Sequence, residues 1–282
     1  MKKILVPVDF SKPSLNALSV ACQLAVRANA GIDLLHVNVM ASHTMSDPYD
    51  DFPAAVAASE AYHKEATERI EVLKATILKE PAYSSLRVEA KVIGGSMIPI
   101  IKELVTEDGI DLIVMGTLGA SGWKELFLGS NTERVIRHAP CAVLVIPEGI
   151  DTLAIKRVMV PSTLQEDQKG VFETVKSWDD LLGFKVEVLY INDPLYALAP
   201  GDVQSEKDRL VLGAGLTGVS LHQYGQVLHE EDAIQDFAKK AKADLIVMGT
   251  HQRRGLSHLL FGSIVEDTVN HSHVPVLSVP IK

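Results

Sequence analysis

The heptapeptide Asp111-Leu112-Ile113-Val114-Met115-Gly116-Thr117 recurs unchanged as Asp244-Leu245-Ile246-Val247-Met248-Gly249-Thr250, 133 positions later. At the same spacing Gly129-Ser130 becomes Gly262-Ser263, His138 becomes His271, Val143-Leu144 becomes Val276-Leu277, and Pro147 becomes Pro280. One spacing shared by several separated matches is no accident of composition, so the 282 residues hold two copies of a single domain. The N-terminal ends of the copies align at a wider spacing. Ile4-Leu5-Val6-Pro7 matches Val158-Met159-Val160-Pro161, 154 positions on, so the second copy is 21 residues shorter in its middle. The loss falls between the second and third strands. There the first copy has an acidic loop from Ser46 to Pro53 and a helical run to about Lys79. The second has only Asn192 through about Thr217, with room for a short helix near 203–210. A polar linker, Glu148-Gly149-Ile150-Asp151-Thr152, separates domain 1–148 from domain 153–282.

Within the first copy, short apolar runs without period mark buried parallel strands: 4–8, 32–39, 87–93, 112–115 and 142–146. Helical patterns lie between them. Ser11 is an N-cap for a helix whose Leu15, Leu18, Cys22 and Ala25 share a face, and Ile98, Ile101, Leu104 and Val105 make a second stripe stopped at Asp108-Gly109. Parallel strands need crossover connections, so the alternation predicts an α/β fold of two tandem doubly wound domains. The apolar strands at 142–146 and 275–279, matched at the repeat spacing, are expected to pair, or pack closely, across a pseudo-two-fold axis.

The formal net charge of −9 argues against broad nucleic-acid binding, which needs a basic face. A phosphate ligand is still compatible with it, because backbone N–H groups can supply the attraction. No apolar run approaches a membrane span, and Pro7 and Asp9 interrupt the N-terminal segment, which therefore reads as neither signal peptide nor anchor. Cys22 and Cys141 have no zinc or redox spacing and read as buried small apolar residues in a reducing cytoplasm.

In an open parallel sheet the ligand site lies beyond the carboxyl ends of the strands, where the winding reverses. In the first copy these ends are Pro7-Val8-Asp9 and Met115-Gly116. The next segment runs Gly116-Thr117-Leu118-Gly119, nine residues, then Gly129-Ser130-Asn131. This G-x2-G-x9-G-S pattern is neither a Walker A loop nor G-x-G-x-x-G. Its physics is that of a phosphate cradle all the same. Glycines admit close backbone approach, and Ser130 caps a helix through Val135 to His138 whose first N–H groups face the ligand.

The N-terminal Ile4-Leu5-Val6-Pro7-Val8-Asp9-Phe10-Ser11, the strand Leu34-Leu35-His36-Val37 and the glycine loop together resemble the universal stress protein family, and the duplication resembles its tandem members. The resemblance covers almost the whole chain. It implies a five-stranded parallel sheet of order 3-2-1-4-5 in each domain, an intrachain pseudo-dimer open to further homodimerisation, and a stress-response role. It also implies an adenine nucleotide, ATP or else AMP or ADP, with Mg²⁺ or Mn²⁺ carried on the phosphates. Carried residue by residue, it puts Pro7, Val8 and Asp9 against the nucleoside and Val37 against adenine through its backbone. Met115, Gly116 and Gly119 then line the loop, and Gly129, Ser130 and Asn131 hold phosphates. The second copy departs from this pattern. Thr163 stands where Asp9 does and Gln252 where Gly119 does, so a remodelled or empty pocket is expected there, with Arg253 and Arg254 near enough to attract an anion or simply solvated.

Each residue also has a plain structural reading. Asp9 can cap the following helix, Gly116 can be an ordinary strand-to-helix turn, and His36 reads as a hydrogen-bonded core histidine. His43, His63, His222, His229, His251, His258 and His273 show no metal-ligand pairing, and no nucleophile–base set stands out. The sequence thus points to a cytoplasmic ATP-binding regulator with at most weak ATP hydrolysis. A slow ATPase and an interaction scaffold without nucleotide are the alternatives, and the protein partner is unknown.

Overall fold

A computed structural model describes residues 1–39, 52–117, 130–192, 197–223, 230–251 and 259–281, without the side chains at 52–55, 130 and 259–263. The chain divides into two compact units. One holds residues 1–116, 139–141 and 149–153; the other holds 117–138, 142–148 and 154–282.

In the first unit, β1 (Lys3–Pro7), β2 (Gly31–Asn38), β3 (Val88–Gly94) and β4 (Leu112–Thr117) form a parallel sheet in the order β3-β2-β1-β4. Ile4, Leu5 and Val6 are fully buried, as are Ile113 and Val114. Burial on both faces is why these runs carry no alternation. Helix α1 (Lys12–Ala28) starts at Ser11, whose hydroxyl accepts the Ser14 amide at 3.4 Å, and stops at left-handed Asn29. Leu18, Cys22 and Ala25 are buried as the stripe requires, but Leu15 is 39% exposed. The buried face is centred on Ala21, and at about 100° per residue Leu15 lies about 120° away from it. Helix α2 (Phe52–Lys79) and helix α3 (Met97–Glu107) complete the unit's described crossovers. In α3 Ile100, Ile101 and Leu104 are the buried positions.

The second unit begins with the end of the first repeat. Helix α4 (Ser130–His138) and β5 (Ala142–Pro147) fall here rather than with the strands that precede them in sequence. The second repeat follows as β6 (Arg157–Ser162), α5 (Lys169–Leu182), β7 (Lys185–Tyr190), α6 (Val203–Gly213), β8 (Ser220–Gln223), α7 (Glu230–Ala241), β9 (Leu245–His251), α8 (Leu259–His271) and β10 (Val276–Ile281). Its strand order is β5-β10-β9-β6-β7-β8. Counted within the second repeat, this is the expected 3-2-1-4-5. The 21-residue deletion is visible between strands two and three, where the 11-residue α6 stands in place of the 28-residue α2.

β5 and β10 pair antiparallel, as their matched positions suggested, with Leu144 opposite Leu277, Val145 opposite Val276 and Val143 opposite Ser278. Leu144 and Leu277 are repeat equivalents, so the pairing has a local two-fold centred on them. An ion pair reinforces it. Arg137 on α4 donates through two nitrogens to Glu266 on α8, at 2.9 and 2.6 Å. Glu266 is buried, and a two-point guanidinium–carboxylate contact is the strong form of such a bond. Asn270 occupies the repeat position of Arg137, so the reciprocal pair cannot form. These contacts explain why α4 and β5 belong to the second unit.

Candidate functional site

In the first unit, the ends of β2, β1 and β4 lie side by side and point the same way. This juxtaposes Pro7, Val8 and Asp9 with Val37 on one side and with Met115 and Gly116 on the other. Val8 is buried, and its amide extends the ladder by donating to the Leu35 carbonyl at 2.8 Å. The chain then turns sharply, with Phe10 in the left-handed region at φ 63°. That conformation is uncommon for a bulky residue, and the surroundings hold it. The Phe10 ring stacks 5.0 Å from the His36 ring, and the Arg69 guanidinium sits 4.1 Å above the Phe10 centroid.

His36 is 4% exposed and is a core histidine with both ring nitrogens engaged. Nδ1 lies 2.8 Å from the Val8 carbonyl, and Nε2 lies 3.1 Å from the Tyr62 hydroxyl. A carbonyl can only accept, so Nδ1 carries the hydrogen. The ring therefore pins the β1 end to β2 and is not a ligand for anything else.

Asp9 remains exposed at the head of this turn. Its Oδ1 accepts the Ser11 amide at 2.9 Å and the Ser11 hydroxyl at 2.5 Å. Partial burial pulls the Asp9 pKa upward, but the bonds from the Ser11 hydroxyl and amide outweigh it and hold the value below the ordinary 3.8. The group is a fixed anion at neutral pH. Its local role, bracing the N-cap residue of α1, is the structural reading anticipated from sequence, and it leaves the carboxylate at the solvent face.

Gly116 has a reason to be glycine that the sequence did not suggest. A Cβ placed there would lie 2.1 Å from the Pro13 carbonyl oxygen and 2.3 Å from its carbon. The first turn of α1 is thus packed backbone to backbone on the end of β4. Met115, 6% exposed, is a core side chain. Of the remaining expected contacts, Gly119 and Gly129 lie outside the described residues. Ser130 and Asn131 open α4 in the second unit, Asn131 exposed.

The second repeat also builds a concave site at its strand ends, with about 410 Å³ of space including its open mouth. Pro161, Ser162, Thr163, Ile191, Met248 and Gly249 line it. These correspond, by repeat spacing and strand register, to Pro7, Val8, Asp9, Val37, Met115 and Gly116. The turn is preserved in outline, since Leu164 has φ 58° where Phe10 has 63°. The brace differs: the Leu164 amide donates to Ser162 Oγ at 3.0 Å, and no carboxylate replaces Asp9. A 3-10 turn at Glu166–Gln168 precedes α5, so the helix starts later and the Gln168 side chain enters the pocket. Sequence reasoning missed Gln168, and equally Glu230 at the start of α7. The available signal was the loss of the N-cap and helix-first proline, since Gln165 stands at the repeat position of Ser11 and Asp167 at that of Pro13.

Cys22 and Cys141 are unpaired thiols. Burial pushes both up to about 12, helped at Cys141 by the Asp111 charge, so neither is a nucleophile. Among the described residues, no group of three acidic, histidine or cysteine side chains is arranged to hold a metal, and no helix is long and apolar enough to cross a membrane.

Comparison with known proteins agrees with this architecture. Residues 1–147 and 154–280 each match the model of the universal stress protein family. The universal stress protein MJ0531 of Methanocaldococcus jannaschii is 31% identical over 148 residues, covering 51% of this chain and 81% of that protein. Slr1230 of Synechocystis, also a universal stress protein, is 24% identical over 302 residues and 99% of both chains. A crystal structure of a universal stress protein from Archaeoglobus fulgidus superposes with a TM-score of 0.74 at 21% identity, covering 99% of this chain and 98% of that one. With both repeats matched by the family model, the chain belongs to the universal stress protein family.

Proposed function

We propose that this chain is a cytoplasmic stress-response regulator that binds ATP in its first domain, residues 1–148, while the second domain, 153–282, has lost that site. The observation that carries the reading is Asp9: a fixed, exposed carboxylate at the end of β1, between the ends of β2 and β4. A carboxylate there can accept hydrogen bonds from ribose hydroxyls, and the backbone of Val37, one strand over, would meet a base edge. This donor and acceptor set fits the nucleoside half of an adenine nucleotide. Gly119, Gly129, Ser130 and Asn131 are assigned to the phosphates on the sequence pattern, and Mg²⁺ or Mn²⁺ would be bound by those phosphates. The nucleotide supplies charge and a ribose–base framework; the protein orients it at the strand ends. Regulation then requires only that ATP bind two states of the chain with different affinity.

The test is mass spectrometry of nucleotide released by denaturing freshly purified protein, with Asp9→Ala alongside. Adenine nucleotide from the parent, lost or depleted in the variant, is expected. A parent that carries none and takes up none from added ATP would overturn the reading. Steady ADP production that stops in the variant would instead favour a slow ATPase.

A further inference from the structure

The two repeats end the ladder between their first two strands differently. In the first, the Val8 amide donates to the Leu35 carbonyl at 2.8 Å, so the next step of a regular parallel ladder would join the Val37 amide to the Val8 carbonyl. A side chain takes that step instead. The Val8 carbonyl accepts from His36 Nδ1 at 2.8 Å, and among the described residues no bond joins it to the half-buried Val37 amide. The second repeat makes the regular step: the Ile191 amide donates to the Ser162 carbonyl at 2.9 Å. Tyr190 stands there at the position of His36, and its hydroxyl turns to the Leu198 amide at 3.0 Å.

Helix α2 holds the His36 ring in place. With the hydrogen on Nδ1, Nε2 of the neutral ring accepts from the Tyr62 hydroxyl at 3.1 Å. Phe10 stacks on the same ring, and Arg69 lies over Phe10. Tyr62 and Arg69 are about two turns apart, so one face of α2 carries both, with buried Ala66 and Ile70 between them. On the same face the Ser59 carbonyl accepts from Asn38 Nδ2 at 3.4 Å and ties down the residue after Val37. The second repeat has the 11-residue α6 in place of this helix.

We infer that His36, with Tyr62 behind it, is a positioning residue of the nucleotide site: by occupying the Val8 carbonyl it keeps the Val37 amide open as a hydrogen-bond donor to the ligand. This role rests on the assignment of ATP to the first domain. It also gives the second domain a further reason for losing its site, because there the equivalent amide is spent on the ladder.

Hydrogen exchange followed by NMR on the full chain, without nucleotide, reads both ladder ends. The Val37 amide should exchange roughly tenfold or more faster than that of Ile191. His36→Phe keeps a ring but loses the donor, so Val37 should close on the Val8 carbonyl and slow toward Ile191. Its ATP affinity, by calorimetry, should fall roughly tenfold. His36→Asn restores an N–H near the place of Nδ1, and should exchange faster at Val37 and bind ATP more tightly than His36→Phe. A purely packing role predicts the reverse order, because Asn leaves a cavity and Phe does not. The Ile32 amide, bonded to the Arg87 carbonyl at 2.8 Å, checks that the sheet is intact in each variant. Tyr62→Phe removes a single hydroxyl and should reproduce both changes to a smaller degree, which keeps the test open if a His36 variant does not fold. A Val37 amide as slow as Ile191 in the parent overturns the role, and so does a folded His36→Phe that binds ATP as the parent does. A parent that takes up no ATP while the exchange contrast holds would overturn the ATP assignment and leave the open amide standing.

Discussion

Gly116 and Gly249 sit in identical heptapeptides, yet the structure asks different things of them. At Gly116 the Pro13 carbonyl lies where a Cβ would go, 2.1 Å away. At Gly249 the nearest atoms to such a Cβ are side-chain ends of Gln168, Ile281 and Val171, each at 3.1 Å. The cause is upstream. In the first repeat Ser11 caps α1 at once and lays its first turn on the end of β4. In the second, the 3-10 turn at Glu166–Gln168 delays α5, and a side chain replaces a backbone carbonyl at the contact. A duplicated motif thus preserves the strand while the helix start beside it decides whether the strand-end glycine packs on backbone or on side chains.

The sharpest way to break this comparison is to add one methyl group to each repeat. Gly116→Ala must displace the first turn of α1 and should cost about 3 kcal/mol or more, the upper range for overpacking. Gly249→Ala asks only that side chains shift by a few tenths of an ångström. Its cost should stay within about 1 kcal/mol. Urea denaturation of the full chains measures both, and equal costs would mean that the helix starts do not differ as described.

A smaller effect is expected where the repeats meet their own asymmetry. Arg137→Ala leaves Glu266 buried without its partner and should cost about 1–2 kcal/mol, moderated by the half-exposed guanidinium. Asn270→Ala, at the equivalent position, should change stability by no more than about 0.5 kcal/mol. Thermal unfolding of the two variants gives the ranking directly.

The smallest effect concerns acid. Asp9 has its pKa lowered in the folded chain, so its bracing of Ser11 is fully present above the ordinary 3.8 and is lost as pH falls through the folded value. Thr163 has no such group, so the turn of the second repeat should be indifferent to the same change. The Ser11 amide resonance should titrate with a midpoint below 3.8 while that of Leu164 stays put. A midpoint above 3.8 would contradict the brace.

Much of this was legible in the residues. The duplication and the β5–β10 pairing follow from repeat spacing and apolar runs, because buried parallel strands leave a strong compositional trace, whereas the strand order came only with the resemblance to the family. The rule that ligand sites form at strand ends pointed to the ends of β1 and β4, and these ends, with that of β2, are neighbours in the sheet. What was not legible was contact at atomic range. Pro13 against Gly116, Arg69 over Phe10, and Gln168 in the second pocket are contacts between particular atoms; the replacement of the N-cap Ser11 by Gln165 marks a changed helix start but not which groups then meet. The exposure of Leu15 has the same origin, since a stripe of apolar residues fixes a helical face only to within a residue or so.

The central claim, that two copies of one fold have diverged into one nucleotide site and one remodelled pocket, is tested most directly by counting. Titration calorimetry of the full chain with ATP, after removal of any co-purified nucleotide, should give one tight site per chain, abolished or strongly weakened by Asp9→Ala and unaffected by Gln168→Ala. Two equivalent ATP sites per chain, or a single site that survives Asp9→Ala and disappears with Gln168→Ala, would contradict it.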